Sequence, residues 1–323
     1  MSIKNLILRN AFSLEITRCF RRFIDNNAIR NFFQVVISPI GEIKYLFSKK
    51  AKHNSYQYKF GIVCIIKNEA DYIEEWISFH LIQGAKKIIL YDNGSTDSIN
   101  EKIRRFVEFG IVDYISYPGK KMQCDVYNDA IRRYKDKFEY LAFIDADEFL
   151  FPSNYGDSII EILDDVFSKN EDIGGCIVNW LCYGSSGHKI KQEGLVVSNY
   201  INRGKESFEA NKNYKTIVKP DKVFAYVCPH YPFYNRGIYA VNSSGDIVNE
   251  VMKKGDYTKL RINHYFTKSF QEYIEKMNRG KADQNDKRQV DDFYRHDVND
   301  IVDKSAEAYA DRIKDLIERY KCE

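Results

Sequence analysis

From Phe60 onward the apolar positions of the chain fall into two alternating rhythms. FGIVCII (60–66) is an unbroken apolar run of strand length, the pattern of a strand buried on both faces. DYIEEWISFHLIQ then spaces Ile73, Trp76, Ile77 and Leu81 along one helical face, and Gly84 supplies the stop. KKIILYD (86–92) reads as a second buried strand, NGST as turn chemistry, and Asp97 or Ser98 as the cap of a helix carrying Ile99, Ile103 and Phe106. IVDYISY predicts a third strand, QCDVYNDAIRRY a helix and FEYLAFID a fourth strand. Such alternation predicts a doubly wound α/β domain, its mostly parallel sheet covered on both sides.

The second half is less regular. DSIIEILDDVFSK predicts a helix, and GGCIVNWLCYGSSG a strand that runs into a loop of small residues. KTIVKP, KVFAYVC and GIYAVNSSGDIV are short β-like pieces, an antiparallel extension with a turn at Ser244 and Gly245. KSFQEYIEKMN predicts a helix, as does VNDIVDKSAEAYADRIKDLIERY near the end. The expected organisation is a basic N-terminal segment (1–58), an α/β domain (59–285) and a C-terminal helical segment (286–323).

Charge sets the first segment apart. Residues 1–59 carry eleven Lys or Arg against Glu15, Asp25 and Glu42, which leaves +8 there and −5 in the remainder of a chain whose net charge is +3. Charges interrupt every apolar run of this segment well short of the roughly 18 residues a membrane span needs. A basic amphipathic segment resting on an anionic membrane surface through residues 1–50 is expected, with a helix docked on the protein's own core as the alternative. The seven cysteines are scattered and form no CxxC pair, which points to a reducing, cytoplasmic setting, on the inner face of the plasma membrane if the basic segment binds there. No nucleic-acid partner is expected.

In doubly wound sheets, ligands bind beyond the carboxyl ends of the strands. Three polar clusters fall there: Lys67, Asn68 and Glu69; Asp92, Asn93, Ser95 and Asp97; and Asp145, Asp147 and Glu148. Neither GxGxxG nor GxxxxGK[ST] occurs, which argues against dinucleotide oxidoreductases and P-loop NTPases. The third cluster, in FIDADEF, poses a physical problem, because carboxylates crowded behind a buried run repel one another unless something positive sits among them. A divalent cation, Mn²⁺ or Mg²⁺, held by Asp145 and Asp147 supplies that charge and leaves positions for phosphate oxygens, with neutral His264 as a third ligand. A solvated strand end is the plain alternative. Asp92 suits the edge of a base or ribose hydroxyls, and Lys268, Lys276, Arg279 and Lys281 suit a diphosphate. Trp180, with Ser185 and Ser186, suits stacking on and hydrogen-bonding a sugar, whereas His80 reads as a packed side chain.

In order and rough spacing, KNEADYIEEWISFHLIQGAKKIILYDNGSTDS, FIDADEF, NWLCYGSSG, KTIVKP and HYFTKSFQEYIEKMNRG resemble glycosyltransferase family 92 and the related bacterial family 2-like transferases. The resemblance implies a GT-A fold, a nucleotide-diphospho-sugar donor (a UDP-sugar foremost), a divalent metal and inversion at the anomeric carbon. It implies that Asp92 contacts the nucleoside, that Asp145 and Asp147 hold the ion and the ribose, and that His264 completes the metal site. Lys67 and Glu69, with Asn68 between them, would line the nucleotide pocket, and Gln123 would touch the donor. The implied acceptor is a glycan or lipid-linked molecule of cell-surface polysaccharide biosynthesis. The general base stays unassigned among Glu193, Glu206, Glu209 and Glu250. Two other classes stay open: a phosphoryl-transfer enzyme with Asp145 as nucleophile, and a non-catalytic glycan-binding protein on the same fold.

Overall fold

In the computed structural model, which describes residues 36, 39–40, 43–48, 55–248, 255–278 and 288–322, the first apolar run becomes a central strand, β1 (Tyr58–Ile66). Helix α1 (Ile73–Ile82), strand β2 (Lys87–Asp92), helix α2 (Ile99–Glu108) and strand β3 (Val112–Ser116) follow, then helix α3 (Gln123–Tyr134) and strand β4 (Phe138–Phe143). β1 pairs in parallel with β2 on one side and β4 on the other, and β3 extends the sheet beyond β2. Alternate side chains of β1 feed two cores. Phe60, Ile62, Cys64 and Ile66 pack with Trp76, Ile77, Ile103 and Phe106 of α1 and α2. Val63 and Ile65 pack on the opposite face with Val126, Tyr127, Ala130 and Ile131 of α3. A strand buried on both sides therefore carries no polar position from Phe60 to Ile66, and the expected doubly wound α/β class is the one observed.

Beyond β4 the sheet turns mixed. Strand β5 (Glu148–Pro152), helix α4 (Ile159–Ser168), strand β6 (Ile173–Cys182), strand β7 (Tyr214–Val218) and strand β8 (Leu260–His264) complete its site-bearing half. β7 lies between β4 and β6 and is antiparallel to both. β8 runs parallel to β6 and antiparallel to β5, in a register that sets His264 opposite both Cys182 and Glu148. Helices α5 (Phe270–Asn278), α6 (Val290–His296) and α7 (Ala310–Cys322) follow. The segment read from the sequence as one terminal helix is broken. Ile301 and Val302 pair as a strand with Arg203 and Asn202, and the Asp303 carboxylate is clasped by Arg203 (2.7 Å) and Arg261 (3.1 Å). Burial opposes that charge, but the two guanidinium groups hold the Asp303 pKa well below the usual carboxylate range. No described helix is long and apolar enough to cross a membrane.

α1 braces the site-bearing half. Trp76 donates its indole N–H to the carbonyl of Glu148 (2.8 Å), and His80 Nε2 accepts from the N–H of Leu150 (3.2 Å) while Nδ1 faces the Trp76 carbonyl (2.8 Å). The imidazole is therefore neutral with its proton on Nδ1, in accord with a pKa that burial lowers to about 3. Glu75, also buried, accepts the N–H groups of Val196 (2.8 Å) and Val197 (3.0 Å). Burial pushes its pKa up to about 7 against the pull of those two N–H groups.

The fold thus favours the protonated form of Glu75. That contribution to stability is complete below the carboxyl's ordinary value of 4.5 and is lost as pH rises through about 7. Between pH 5 and pH 8 the native chain should lose on the order of 2 kcal/mol relative to Glu75→Gln in urea unfolding. Identical pH slopes for the two chains would refute this role for Glu75.

Candidate functional site

The carboxyl ends of the parallel strands are level with one another. Asp92 at the end of β2 lies opposite Ile66 of β1 and Ser116 of β3. The loops that follow β1 and β2 are tied together. Asn68, at φ +54°, donates its N–H to Ser95 Oγ (2.9 Å) and accepts from the N–H of Thr96 (2.7 Å), while Asp97 accepts from the N–H of Ala70 (2.9 Å). Asp92 is buried, and its Oδ1 accepts from both the N–H (2.9 Å) and the hydroxyl (2.5 Å) of Ser95. The turn-forming role expected of its neighbours therefore falls on Asp92 as well.

Beyond β4 the chain makes a tight turn through Asp145 and Asp147 into β5. The N–H of Glu148 bonds the Asp145 carbonyl (3.1 Å), and Glu148 Oε2 accepts from the N–H of Asp145 (2.8 Å). The N–H of Tyr265, just past β8, bonds the Asp147 carbonyl (2.9 Å). The two aspartates point to different partners. Asp145 Oδ1 accepts from Gln123 Nε2 (2.7 Å), the first residue of α3, and Oδ2 accepts from Lys215 Nζ (2.8 Å) on β7. Asp147 accepts from Lys276 Nζ of α5 and lies 3.6 Å from His264 Nε2.

Two ammonium groups thus supply the positive charge that the cluster needs. Lys215 is only 2 % exposed; burial lowers its pKa, but Asp145 and Glu148 outweigh that and keep the amine firmly protonated. Glu148 has no exposed surface and its Oε1 is 3.8 Å from Lys215 Nζ; burial raises its pKa well above the usual range, with Lys215 opposing the rise. Burial works against the Asp147 charge, but Lys276 and His264 together hold its pKa well below the carboxylate range. Burial in turn lowers Lys276 to about 8, with Asp147 opposing the fall.

A cavity of about 290 Å³ opens beside this cluster. Asn68, Glu69, Tyr72, Thr96 and Asp97 line one wall, and Phe266, Lys268, Glu272 and Lys276 are on the other. Lys268, at φ +49° and 6 % exposed, lays its ammonium 3.9 Å from the centre of the Tyr72 ring. Glu272 gathers hydrogen bonds from the hydroxyls of Tyr72, Tyr200 and Ser269, which hold its pKa down against burial.

The structure therefore brings Lys268, Asn68 and Glu69 to one cavity and joins Gln123 to Asp145. Lys67 stands exposed at the end of β1. Trp180 packs its ring 4.2 Å from that of His264. Ser185 and Ser186 are engaged within the protein rather than in an open sugar pocket. Their N–H groups bond Asp297 (2.6 Å) and Asn299 (2.8 Å), and their hydroxyls accept from Gly187 (3.1 Å) and Asn202 (3.0 Å). Glu193, Glu206 and Glu209 are exposed and away from the cavity wall, Glu209 being paired with Lys212 at 2.7 Å. Arg279, Lys281, Glu250 and most of the basic N-terminal segment lie outside the described residues.

The expected three-ligand metal set requires a correction. Among the described residues no three His, Cys, Asp or Glu side chains converge, because Asp145 is turned away by Gln123 and Lys215. Asp147 and His264 do fit a divalent ion as a pair. Their facing atoms are 3.6 Å apart, burial holds the imidazole below its ordinary pKa and hence neutral, and Lys276, bonded to Asp147, lines the cavity.

The model of glycosyltransferase family 92 matches residues 61–299. A glycosyltransferase family 92 protein of Oryza sativa subsp. japonica is 32% identical over 167 residues, covering 49% of this chain and 26% of the relative. Another, from Arabidopsis thaliana, is 24% identical over 183 residues, covering 54% and 31%. The chain thus spans about a third or less of the length of these curated relatives. Among solved structures, S. aureus TarS (residues 1–349) is similar at 12% identity and a TM-score of 0.35, covering 81% of this chain and 71% of TarS. Glucosyl-3-phosphoglycerate synthase of Mycobacterium tuberculosis, solved with Mn²⁺ and UDP, is similar at 17% identity and a TM-score of 0.25, covering 38% and 43%.

Lys215→Met should cost about 3–5 kcal/mol in urea unfolding, because it strands the Asp145 charge beside Glu148. Adding Asp145→Asn should restore most of that loss. A single variant within about 1 kcal/mol of native would show that Lys215 does not carry the cluster.

Proposed function

The chain belongs to glycosyltransferase family 92, and from that premise we propose that it moves a sugar from a nucleoside diphosphate sugar to a hydroxyl of a glycan or lipid-linked acceptor. The observation that carries this reading is the cavity bounded by the loops after β1 and β2 and by α5, with Lys268 and Lys276 on its wall and Asp147 and His264 behind it. Lysine ammonium groups on a wall of this kind meet phosphate oxygens, and Asn68 and Glu69 on the facing wall suit the nucleoside. A UDP-sugar is the first donor to test.

Transfer is a displacement at the anomeric carbon with inversion. The bond from carbon to the phosphate oxygen breaks with its electron pair staying on the diphosphate, the acceptor oxygen attacks from the opposite face, and the acceptor hydroxyl's proton passes to a general base on that face. Lys268 and Lys276 meet the negative charge that builds on the departing diphosphate. Asp147 and His264 would hold a divalent ion, which when bound would supply Lewis-acid stabilisation of the same charge. Asp145, with both oxygens engaged by Gln123 and Lys215, is a poor nucleophile, which weighs against the phosphoryl-transfer alternative. The +8 charge of residues 1–59 supports placement on an anionic membrane surface, where lipid-linked acceptors are at hand.

Thermal-shift measurements against UDP, GDP, CMP and dTDP, each with and without Mn²⁺, should show stabilisation by one nucleotide, strongest with the ion. Asp147→Ala should lower sugar transfer, read as release of the nucleotide, on the order of 100-fold or more without unfolding the chain. A flat response to all four nucleotides, or an Asp147→Ala chain with native turnover, would sink the transferase reading.

A further inference from the structure

The resting position of Lys276 carries a consequence for the order of ligand capture. Its ammonium is bonded to the Asp147 carboxylate and to the carbonyl of Phe266 (2.8 Å), and it lies 4.2 Å from the centre of the Phe266 ring. The amine is 11% exposed and Asp147 13%. Lys276 therefore occupies the near side of the carboxylate that faces His264, and it also lines the cavity proposed for the diphosphate.

We propose that Lys276 is a placeholder cation that couples capture of the divalent ion to capture of the nucleoside diphosphate. The inference rests on the transferase reading above. The charges of the site give its reason. At rest Lys276 is paired with Asp147, and the adjoining Lys215 with Asp145, so each carboxylate has its own ammonium. A divalent ion arriving alone would have to displace the ammonium from its carboxylate and would leave the buried cluster with an uncompensated double positive charge. A nucleoside diphosphate sugar arriving alone would leave the opposite imbalance. Together they sum to zero. In that state the ion takes the Asp147 and His264 atoms, and the Lys276 ammonium swings on its unbranched stem to the phosphate oxygens in the same cavity.

Lys215 provides the contrast that makes this specific to Lys276. It is almost without exposure and does not line the cavity, so no phosphate there can draw it from Asp145 and Glu148.

Binding of Mn²⁺ to the full chain, followed by loss of its free-ion paramagnetic resonance signal, tests the idea directly, with UDP and GDP tried in parallel. The native chain should bind Mn²⁺ weakly alone and about 10-fold or more tightly once the preferred nucleotide is present. Lys276→Met removes the placeholder, so it should bind Mn²⁺ alone about 10-fold more tightly than native, with the nucleotide enhancement shrinking accordingly. Lys276→Arg should keep the coupling, and retention of the native circular dichroism spectrum by both variants keeps the comparison valid. Equal Mn²⁺ affinity of native and Lys276→Met chains, or an unchanged enhancement in the variant, would overturn the placeholder and leave the transferase reading standing. If neither chain binds the ion or either nucleotide in any combination, the transferase reading falls and the placeholder with it.

Discussion

Two buried ammonium groups allow three acidic side chains to crowd the turn after β4, and the remainder of the site is arranged around that pairing. Lys215 answers Asp145 and keeps Glu148 close to an opposite charge; Lys276 answers Asp147. A buried carboxylate without a partner costs several kcal/mol, whereas one with a hydrogen-bonded partner is tolerated. Each lysine also comes from a distant part of the chain. Lys215 requires β7 to insert between β4 and β6, and Lys276 requires α5 to lie against the turn, so satisfying the acids at 145–148 draws the second half of the chain onto the first.

The backbone beneath the cluster is held from the other side by α1. Trp76 and His80 bond the main chain of β5 at Glu148 and Leu150, and Glu75 bonds the main chain at Val196 and Val197. One helix thus aligns the strand that carries Glu148 and the segment that leads to Tyr200. Tyr200 then meets Tyr72 on the Glu272 carboxylate, which ties the far wall of the cavity to the near one. The wall is built from side chains whose hydrogen-bonding capacity is already largely used, a condition that preserves its shape before any ligand arrives.

Where the sequence carried a strong period, it was legible. The runs that became β1 to β4 and α1 to α3 have apolar positions spaced by burial on two faces of one sheet, and that spacing is a local property. The position of FIDADEF at a strand end, and the need for positive charge among its acids, were legible for the same reason. The carrier of that charge was not. Lys215 sits in YKTIV on the side shared with Ile217, a lone cation in an otherwise buried strand of five residues, and this was the one available sign of an inward-facing lysine. Its partner lies 70 residues away, and a sequence displays charges without displaying pairs. The terminal run failed for a similar reason, since its helical spacing gives no warning that Ile301 and Val302 pair with residues 202 and 203 or that two arginines clasp Asp303.

The two aspartates of FIDADEF are therefore not equivalent, and the difference follows from exposure rather than from chemistry. Asp145 is bonded by Gln123 and by a lysine with no cavity to move into, so turning it toward an ion would strand both partners. Asp147 faces a lysine that lines the cavity and an imidazole left neutral by burial. A motif of two identical side chains, two positions apart, divides in this way because the turn points them to different neighbours, and only one of those neighbours lines the cavity.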